Sequence, residues 1–409
     1  MPRVLRVARV IRRAAELRWS QLLPLGLLLF VVAASGEPAV RVLRTPHGGI
    51  QPRAAVGRDG VVHIVYFEGE RAKGDLYYVS SSDSGESFSQ PRPVNSQAGS
   101  ATAAGTIRGA QIALGADDRL HVVWNGSSIA RPRGPLSPEM PPDSPHNGKP
   151  MLYSHVGEEG AFEPQRNLMR KTFALDGGAT VTADSKGIVY AAWHGSSQGA
   201  PKGEGGREVW LARSGDDGKS FGAEQAISPE PVGACGCCGM RIFADSHGNL
   251  AALYRSAEDT VHRDIHLLTS VDQGQTFRGK KLHSWEIGAC PMSSMSFAEG
   301  PAGVQAAWET AGQVYFSAVE TETLANSAPI SAPGEAKDRK HPSLAQNGRG
   351  ETLLVWATVV GWGKGGQVHW QLFSPDGKPS GPEGHADELP PWSYATALAN
   401  PDGNFTIIY

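Results

Sequence analysis

Seven copies of one pattern run along the chain and constrain its fold more than any other feature. Each copy has a short apolar segment, a turn that contains Gly, Asp or Asn, and a second apolar segment that ends in an aromatic residue. Two apolar segments joined by such a turn predict a pair of antiparallel strands. The copies cover Arg53–Phe67, Gln111–Trp124, Thr180–Trp193, Arg241–Tyr254, Met295–Trp308, Ser343–Trp356 and Thr396–Tyr409.

The spacing of these copies predicts the fold class. Repeats of roughly 50 to 70 residues suit the four-stranded blades of a propeller. The 50 Gly and 29 Pro among 409 residues disfavour long helices. We therefore predict an all-β fold, a β-propeller of four-stranded antiparallel blades, with seven blades favoured and six as the alternative. Only six copies continue into third and fourth strands, so Ala39–Thr45 is predicted to supply a missing strand and close the ring.

Residues 1–36 have the layout of a secretory signal peptide. Six arginines precede the apolar run Leu22–Ala34, and small residues follow before Glu37. The apolar run is shorter than the about 20 residues that a membrane-spanning helix needs. We predict cleavage near Gly36, a secreted or periplasmic location, and a single propeller domain over residues 37–409. The alternative is a segment that is retained as an N-terminal membrane anchor.

The charge balance argues against nucleic acid as a partner. Loss of residues 1–36 removes six of the 38 basic residues and one of the 41 acidic residues, so the formal net charge changes from −3 to −8. Phosphate binding needs a basic face, which this balance does not favour. We expect a monomer whose only membrane contact would be the N-terminal segment.

Three turns share the motif Ser-x-Asp-x-Gly-x-Ser/Thr-Phe, at Ser81–Phe88, Ser214–Phe221 and Ser270–Phe277. The Asp can accept hydrogen bonds from turn amides, and the Gly supplies a backbone geometry that other residues resist. These motifs resemble the Asp boxes (BNR repeats) of sialidases and related propellers. In that fold the turn lies on the face opposite the functional loops, so we interpret the motif residues as structural. They are Asp83, Gly85, Asp216, Gly218, Asp272 and Gly274.

The functional face of a propeller is formed by the loops that enter each first strand and leave each second strand; we call this face the mouth. The stretch Val65–Phe88 resembles sialidases beyond its Asp box, which implies that Arg71 binds a carboxylate and that Asp75 is the acid/base. The C-terminal segment resembles the one that carries the sialidase nucleophile, at Tyr394. The family pairs this Tyr with a Glu, for which Glu309 is the first candidate and Glu68 the second. A Tyr nucleophile suits a substrate that is itself negative.

Sialidases hold the substrate carboxylate with three arginines, because Arg offers fixed, paired donors. By that resemblance Arg108 and Arg241 would join Arg71, with Arg53 as a further cation. The chain departs from the family at the Arg-Ile-Pro motif, where Ile50 or Gln51 occupies the expected Arg position. Two further residues follow second strands and are predicted to contact a sugar: Asn125 and His194.

All four cysteines precede first strands, with Cys235, Cys237 and Cys238 before blade four and Cys290 before blade five. Because these blades are neighbours, we predict that the four thiols meet at the mouth. Disulfides are favoured in an oxidising compartment, with Cys290 bonded to one of the three. The alternatives are a soft-metal site for Cu(I) or Zn, with Met240, Met292, Met295 or His341 nearby, and free thiols. We predict no cofactor for the sialidase-like chemistry.

Two function classes remain open. The resemblance in blade one and at Tyr394 implies an exo-sialidase-like glycoside hydrolase that acts on acidic glycans. The missing Arg and the absence of an evident Glu partner favour a non-catalytic propeller that binds a glycan or a protein.

Overall fold

The computed structural model describes residues 38–144 and 146–409. The predictions of a signal peptide, its cleavage and an anchor concern residues outside this part of the chain. Within the described ranges the helical elements are three short 3-10 turns, and no helix is long and apolar enough to cross a bilayer. The 3-10 turns are Pro46–Gly48, Ala116–Asp118 and Glu204–Gly206.

Six sheets have four antiparallel strands each, in sequence order from the inner to the outer edge. Blade one contains Ile50–Val56, Val62–Glu70, Lys73–Ser81 and Arg92–Pro93. Blade two contains Gln111–Leu114, Leu120–Asn125, Met151–His155 and Arg166–Asn167. Blade three contains Phe173–Ala183, Val189–Ser196, Glu208–Ser214 and Gln225–Ala226.

The remaining sheets follow the same order. Blade four contains Arg241–Ala244, Leu250–Arg255, Ile265–Ser270 and Arg278–His283. Blade five contains Ser296–Gly300, Gly303–Thr310, Gln313–Val319 and Ile330–Ser331. Blade six contains Lys340–Gln346, Thr352–Thr358, Gly366–Phe373 and Pro379–Leu389. The last sheet contains Thr396–Ala399, Phe405–Ile408 and, from the other end of the chain, Val40–Leu43.

The seven sheets form a ring. The first strand of each blade contacts the first strand of the next blade, and the first strand of the last blade contacts that of blade one. The preference for seven blades over six is therefore confirmed. Four antiparallel strands are confirmed for six blades, whereas the seventh has three.

The seventh blade consists of the last two strands of the chain and one N-terminal strand. Val40–Leu43 pairs in parallel with Phe405–Ile408, with Val40 opposite Phe405 and Leu43 opposite Ile408. That this pairing is what holds the ring closed stays a prediction.

Each junction between neighbouring blades holds its own apolar cluster. The aromatic residue at the end of a second strand belongs to such a cluster, because it is long enough to reach the adjacent sheet. Four of these residues are fully buried tryptophans: Trp124, Trp193, Trp308 and Trp356.

The three Ser-x-Asp-x-Gly turns have one hydrogen-bond pattern. In the third, Asp272 accepts from the backbone N–H of Thr276 at 2.9 Å and from its hydroxyl at 2.6 Å, while Ser270 donates its hydroxyl to the same carboxylate at 2.8 Å. Gly274 has φ +77° and donates its N–H to the Ser270 hydroxyl at 3.0 Å. The equivalent Asp83 and Asp216 make the same contacts. The carboxylates are therefore used to fold the turns.

The Phe of each motif packs at a junction with the preceding blade. Phe221 is buried in the cluster between blades two and three, and Phe277 packs against the cluster between blades three and four. Phe88 packs against the cluster between blades seven and one. Each turn thus fastens a third strand to the neighbouring sheet.

We predict that Asp272→Asn lowers the free energy of unfolding at pH 7 by about 1 kcal/mol, the order of one lost capping interaction. The hydrogen bonds from Thr276, foremost that of its hydroxyl, lower the pKa of Asp272 to about 2. Because this folded-state value lies below that of the unfolded chain, the stabilisation is present above pH 4 and is lost as the pH falls towards 2. Chemical denaturation from pH 7 to pH 2 measures both effects. The exposed Asp143→Asn is the control, and equal stability of Asp272→Asn and the parent chain at pH 7 would contradict the prediction.

We predict that a chain that starts at Pro46 is less stable than one that starts at Pro38, which keeps the N-terminal strand. Truncation removes three half-buried apolar residues, Val40, Val42 and Leu43, from the clusters at both sides of blade seven. If each half-buried side chain contributes about half of the free energy of full burial, removal of the three lowers the free energy of unfolding by about 3 kcal/mol. Thermal unfolding and amide hydrogen exchange of Phe405–Ile408 test this, and unchanged exchange rates in that strand would refute it.

Candidate functional site

The mouth is held together by Gln51, which lies in the first strand of blade one. Its side-chain N–H groups donate to the carbonyl oxygens of Ala103 at 2.8 Å and Trp392 at 2.7 Å, and its side-chain oxygen accepts from the N–H of Gly109 at 2.7 Å. The φ of Gln51 is 53°, a conformation that few non-glycine residues adopt. Gln51 thereby joins blade one to the loops that enter blades two and seven.

Three side chains at the starts of first strands form what we call the arginine–tyrosine group: Arg53, Arg241 and Tyr394. The guanidinium carbon of Arg53 lies 4.2 Å from the centroid of the Tyr394 ring, a cation–π geometry. Arg241 donates to the side-chain oxygen of Gln111 in blade two. The group therefore joins blades one, two, four and seven.

The polar atoms of this group are incompletely satisfied. Arg53 and Tyr394 are 7% and 1% exposed, yet the Nε of Arg53 and the hydroxyl of Tyr394 have no hydrogen-bond partner among the described residues. Burial, assisted by the charge of Arg53, lowers the pKa of Arg241 to about 9. Because burial and the charge of Arg53 disfavour the charged form of Arg241, an anion bound beside Arg241 is stabilising, and guanidinium groups match carboxylates in geometry.

Glu309, the predicted partner of Tyr394, is engaged elsewhere. Its Oε2 lies 3.0 Å from Nη2 of Arg255, and its Oε1 accepts from the N–H of Gly312 at 2.9 Å. Both side chains of the Arg255–Glu309 pair are 1% exposed. Burial, against the opposing charge of Arg255, raises the pKa of Glu309 to about 7. The carboxyl group of Glu309 is thus part of a buried ion pair, and its predicted role beside Tyr394 stays a prediction that this pairing does not favour.

Asp75 and Arg71, the other residues taken from the sialidase resemblance, are used within blade one. Oδ1 of Asp75 accepts from the side chain of Asn95 and from the N–H of Gly99, both at 2.7 Å. Arg71 donates to the carbonyl oxygen of Gly69 in its own hairpin at 3.0 Å. Glu68 lies directly opposite Asp75 in the strand register. These contacts shape a hairpin and its adjoining loop, and the predicted catalytic and carboxylate-binding roles stay predictions.

Arg108 already forms an ion pair with a carboxylate of the chain itself. Its Nη2 lies 2.5 Å from Oδ1 of Asp176, whose other oxygen lies 3.3 Å from Arg207. Burial would raise the pKa of Asp176, but the charges of Arg108 and Arg207 hold it below its usual range. Arg108 is therefore less suited to a ligand carboxylate than Arg53 or Arg241.

Asn125 and His194 are buried instead of facing a ligand. Asn125 is 3% exposed and donates to the carbonyl oxygen of Gly177 at 2.7 Å, which ties blade two to blade three. His194 is 0% exposed, and neither ring nitrogen has a hydrogen-bond partner in the described part of the chain. Burial, followed by the charge of Arg207, lowers the pKa of His194 to about 4. Their predicted sugar contacts stay predictions that this burial does not favour.

Two tryptophans were missed by the sequence reasoning. Trp362 is 63% exposed and packs edge-to-face on Trp392, with ring centroids 4.6 Å apart. Trp362 also lines a small cavity with Lys340 and His341, and the His341 ring lies 6.2 Å from that of Tyr394. The loop that leaves the second strand of blade six carries Trp362, so the rule for mouth loops could have found it. Exposed aromatic rings suit the apolar faces of sugars.

The cysteines meet only in part. The Sγ atoms of Cys235, Cys237 and Cys238 all lie within 4.8 Å of one another, whereas Cys290 is exposed. The predicted disulfide between Cys290 and one of the three is not formed, and all four thiols are free. The reason is the path of the blade-five entry loop, where Ser293 rather than Cys290 contacts the cysteine loop through the N–H of Gly239 at 2.8 Å.

We predict that Arg255→Met lowers the free energy of unfolding at pH 8 by roughly 3–5 kcal/mol, because it leaves a buried carboxylate unpaired. Without Arg255 the pKa of Glu309 rises further, so the folded state keeps the proton to a higher pH and the loss is smaller at pH 5. Urea denaturation at the two pH values measures this. The double variant Arg255→Met/Glu309→Gln should lose the pH dependence. If Arg255→Met lowered the free energy of unfolding equally at pH 5 and pH 8, the effect would not come from the ionisation of Glu309.

Comparisons with known proteins agree on the fold. No protein-family model matches the chain, and no curated protein matches its sequence. Among solved structures, a sialidase described as Hadza microbial sialidase Hz136 aligns with TM-score 0.50 and 11% identity over 76% of this chain and 63% of that one. The alpha-L-arabinanase of Penicillium chrysogenum aligns with TM-score 0.52 and 12% identity over 83% of this chain and 98% of that one. The chain thus spans less than two thirds of the length of that sialidase. At such identities the likeness concerns the fold alone, and the chain has the fold of the sialidase-like β-propellers.

Proposed function

We propose that this chain is an exported propeller that binds an acidic glycan at its mouth without hydrolysing it. The observation that carries the proposal is the arginine–tyrosine group. Its two guanidinium groups lie at the starts of different blades, and their contacts are a tyrosine ring and an amide rather than a carboxylate. A carboxylated ligand supplies the missing negative charge.

The arrangement supports recognition of a sugar acid in two parts. The carboxylate accepts hydrogen bonds from Arg53 and Arg241, which are charge-assisted and strong in a site of low polarity. The sugar ring packs on the exposed face of Trp362, which lies near His341, and the His341 ring lies 6.2 Å from that of Tyr394. The ligand class is therefore an acidic monosaccharide at the end of a glycan, such as a sialic or uronic acid.

The same contacts weigh against hydrolysis. A tyrosine nucleophile needs an adjacent base to remove its proton. The Tyr394 hydroxyl has no such partner among the described residues, and Glu309 is held by Arg255 and Gly312. Asp75 is occupied by Asn95 and Gly99. An exo-sialidase-like activity remains the second candidate, favoured by the position of Tyr394 against Arg53.

Export rests on the basic and apolar pattern of residues 1–36, and the expected location is the periplasm or the cell exterior. The formal net charge of −8 after removal of those residues would repel acidic polymers from most of the surface. Binding of an acidic ligand then depends on the local cations of the mouth.

We predict that Arg241→Met weakens the binding of N-acetylneuraminic acid roughly 10- to 100-fold, the value of one charge-assisted hydrogen bond. Binding of the neutral methyl ester should not change, and Arg71→Met should leave both affinities unchanged, since Arg71 bonds within its own hairpin. Isothermal titration with N-acetylneuraminic acid, D-glucuronic acid and their methyl esters measures these differences. Thermal unfolding confirms that each variant is folded.

Two results would overturn the proposal. Equal affinity of the parent chain for the acids and the esters, or no binding of either acid, would remove the carboxylate site. Release of the fluorophore from a fluorogenic sialoside by the parent chain, abolished in Tyr394→Phe, would establish the hydrolase instead.

A further inference from the structure

Three thiols converge at the mouth, and neither the fold nor the proposed glycan site requires them. The Sγ atoms of Cys235 and Cys237 are 3.4 Å apart, and that of Cys238 lies within 4.8 Å of both. Cys235 and Cys238 are fully buried and Cys237 is half-buried. We call these three residues the thiol cluster.

The loop that carries the thiol cluster is fixed by its backbone. Its N–H groups donate to acceptors from blades three, four and five at 2.8–2.9 Å: Gly236 to Oε1 of Glu204, Cys235 to the carbonyl of Arg255, and Gly239 to the carbonyl of Ser293. The N–H of Cys238 closes a turn onto the carbonyl of Cys235 at 3.3 Å. The sulfur atoms are therefore brought together by the fold itself, which lowers the entropic cost of binding an ion.

Positively charged side chains lie near the thiol cluster. Two buried arginines, Arg255 and Arg263, are the cations that act on the cluster. Arg263 is 5% exposed on its side chain and its Nη1 has no hydrogen-bond partner among the described residues. Structural cysteines that are inert sit in apolar pockets, whereas reactive or metal-binding ones sit beside positive charge.

A buried side chain without a partner adjoins the cluster. His194 has no hydrogen bond on either ring nitrogen in the described part of the chain, and Cys238 lies close enough to act on its pKa. A fully buried imidazole without a partner is uncommon in native structures. Its ring nitrogens are not among the atoms that lie within 4.8 Å of one another in the cluster, so the three sulfur atoms are the ligand set.

A disulfide does not account for the arrangement. The distance of 3.4 Å between Cys235 and Cys237 is far above the S–S bond length of about 2.05 Å. A disulfide between any two of the three residues, including Cys235 and Cys238, would leave the third sulfur unpaired, and all three thiols are free. All three sulfurs instead face one another, as they do around a shared ion.

We infer that Cys235, Cys237 and Cys238 bind one thiophilic cation through three thiolates. Soft thiolate ligands select Cu(I) and Zn(II) among the common ions. Cu(I) is the favoured ion, since three sulfur ligands complete its coordination, whereas structural Zn(II) takes four protein ligands and would need His194 as well. Three metal–sulfur bonds form and each thiol releases its proton to solvent, so no oxidant or reductant takes part.

The test is a titration of the reduced chain of residues 37–409 with Cu(I) against a chromophoric Cu(I) chelator, and in a separate arm with Zn(II). We expect one ion per chain, and Cys235→Ser, Cys237→Ser and Cys238→Ser should each weaken binding at least 10-fold. Cys290→Ser is the matched control, because this exposed thiol lies outside the cluster, and it should bind as the parent does. The arm with the tighter binding identifies the ion.

Two further readouts separate metal binding from a folding defect. In the metal-loaded protein a thiol reagent should modify one thiol, that of Cys290. After denaturation in the presence of a chelator it should modify all four. X-ray absorption should show sulfur at about 2.3 Å from the metal. Cys237 is half-buried, so Cys237→Ser should unfold at nearly the parent temperature without metal.

Failure of either arm to show uptake by the reduced chain would count against that ion, and failure of both would overturn the inference. Equal weakening by Cys290→Ser and Cys237→Ser would overturn it as well. Neither outcome depends on glycan binding, which is measured with a different ligand.

Discussion

Apolar packing between neighbouring sheets is the interaction on which the whole molecule depends. A single blade has two apolar faces and could bury neither, whereas in the ring each face meets the face of another blade. The seven junction clusters include the aromatic residues that end the second strands, among them Trp124, Trp193 and Trp356. Full burial of one large apolar side chain stabilises by about 1.5–3 kcal/mol, so the repeated junctions supply most of the stability.

That stability allows the mouth to hold groups that are individually unfavourable. The hydroxyl of Tyr394, the Nε of Arg53 and both nitrogens of His194 are buried without hydrogen-bond partners among the described residues. Each such group destabilises the folded state by about 1–3 kcal/mol. Buried polar groups without hydrogen-bond partners are expected at a site where a bound ligand supplies the missing partners. The motif residues Asp83, Asp216 and Asp272 show the contrary pattern, since each carboxylate accepts hydrogen bonds within its own turn.

The ring and its turns were predictable from the sequence, because both depend on short-range patterns. Alternating apolar residues on either side of a Gly or Asp turn define each strand pair, and the Ser-x-Asp-x-Gly spacing places a hydrogen bond within four residues. The partners at the mouth were not predictable. Glu309 was expected beside Tyr394 but pairs with Arg255, 54 positions away. Cys290 was placed correctly before blade five, yet the direction of its thiol depends on an irregular loop that no local pattern specifies.

The two proposed sites are electrostatically linked through His341. Its ring centroid lies 6.2 Å from that of Tyr394, and after burial, which is the main cause of its lowered pKa, the groups that act on that pKa include Cys238 and Arg53. Because each thiol releases its proton when the ion binds, loading with Cu(I) replaces three neutral thiols by a complex of net negative charge, which opposes a carboxylate at the nearby arginines. Coulomb interactions at this range act strongly where water is largely excluded. Because coupling between two binding equilibria is reciprocal, an anion at the arginines must weaken the binding of the ion at the sulfurs by the same factor.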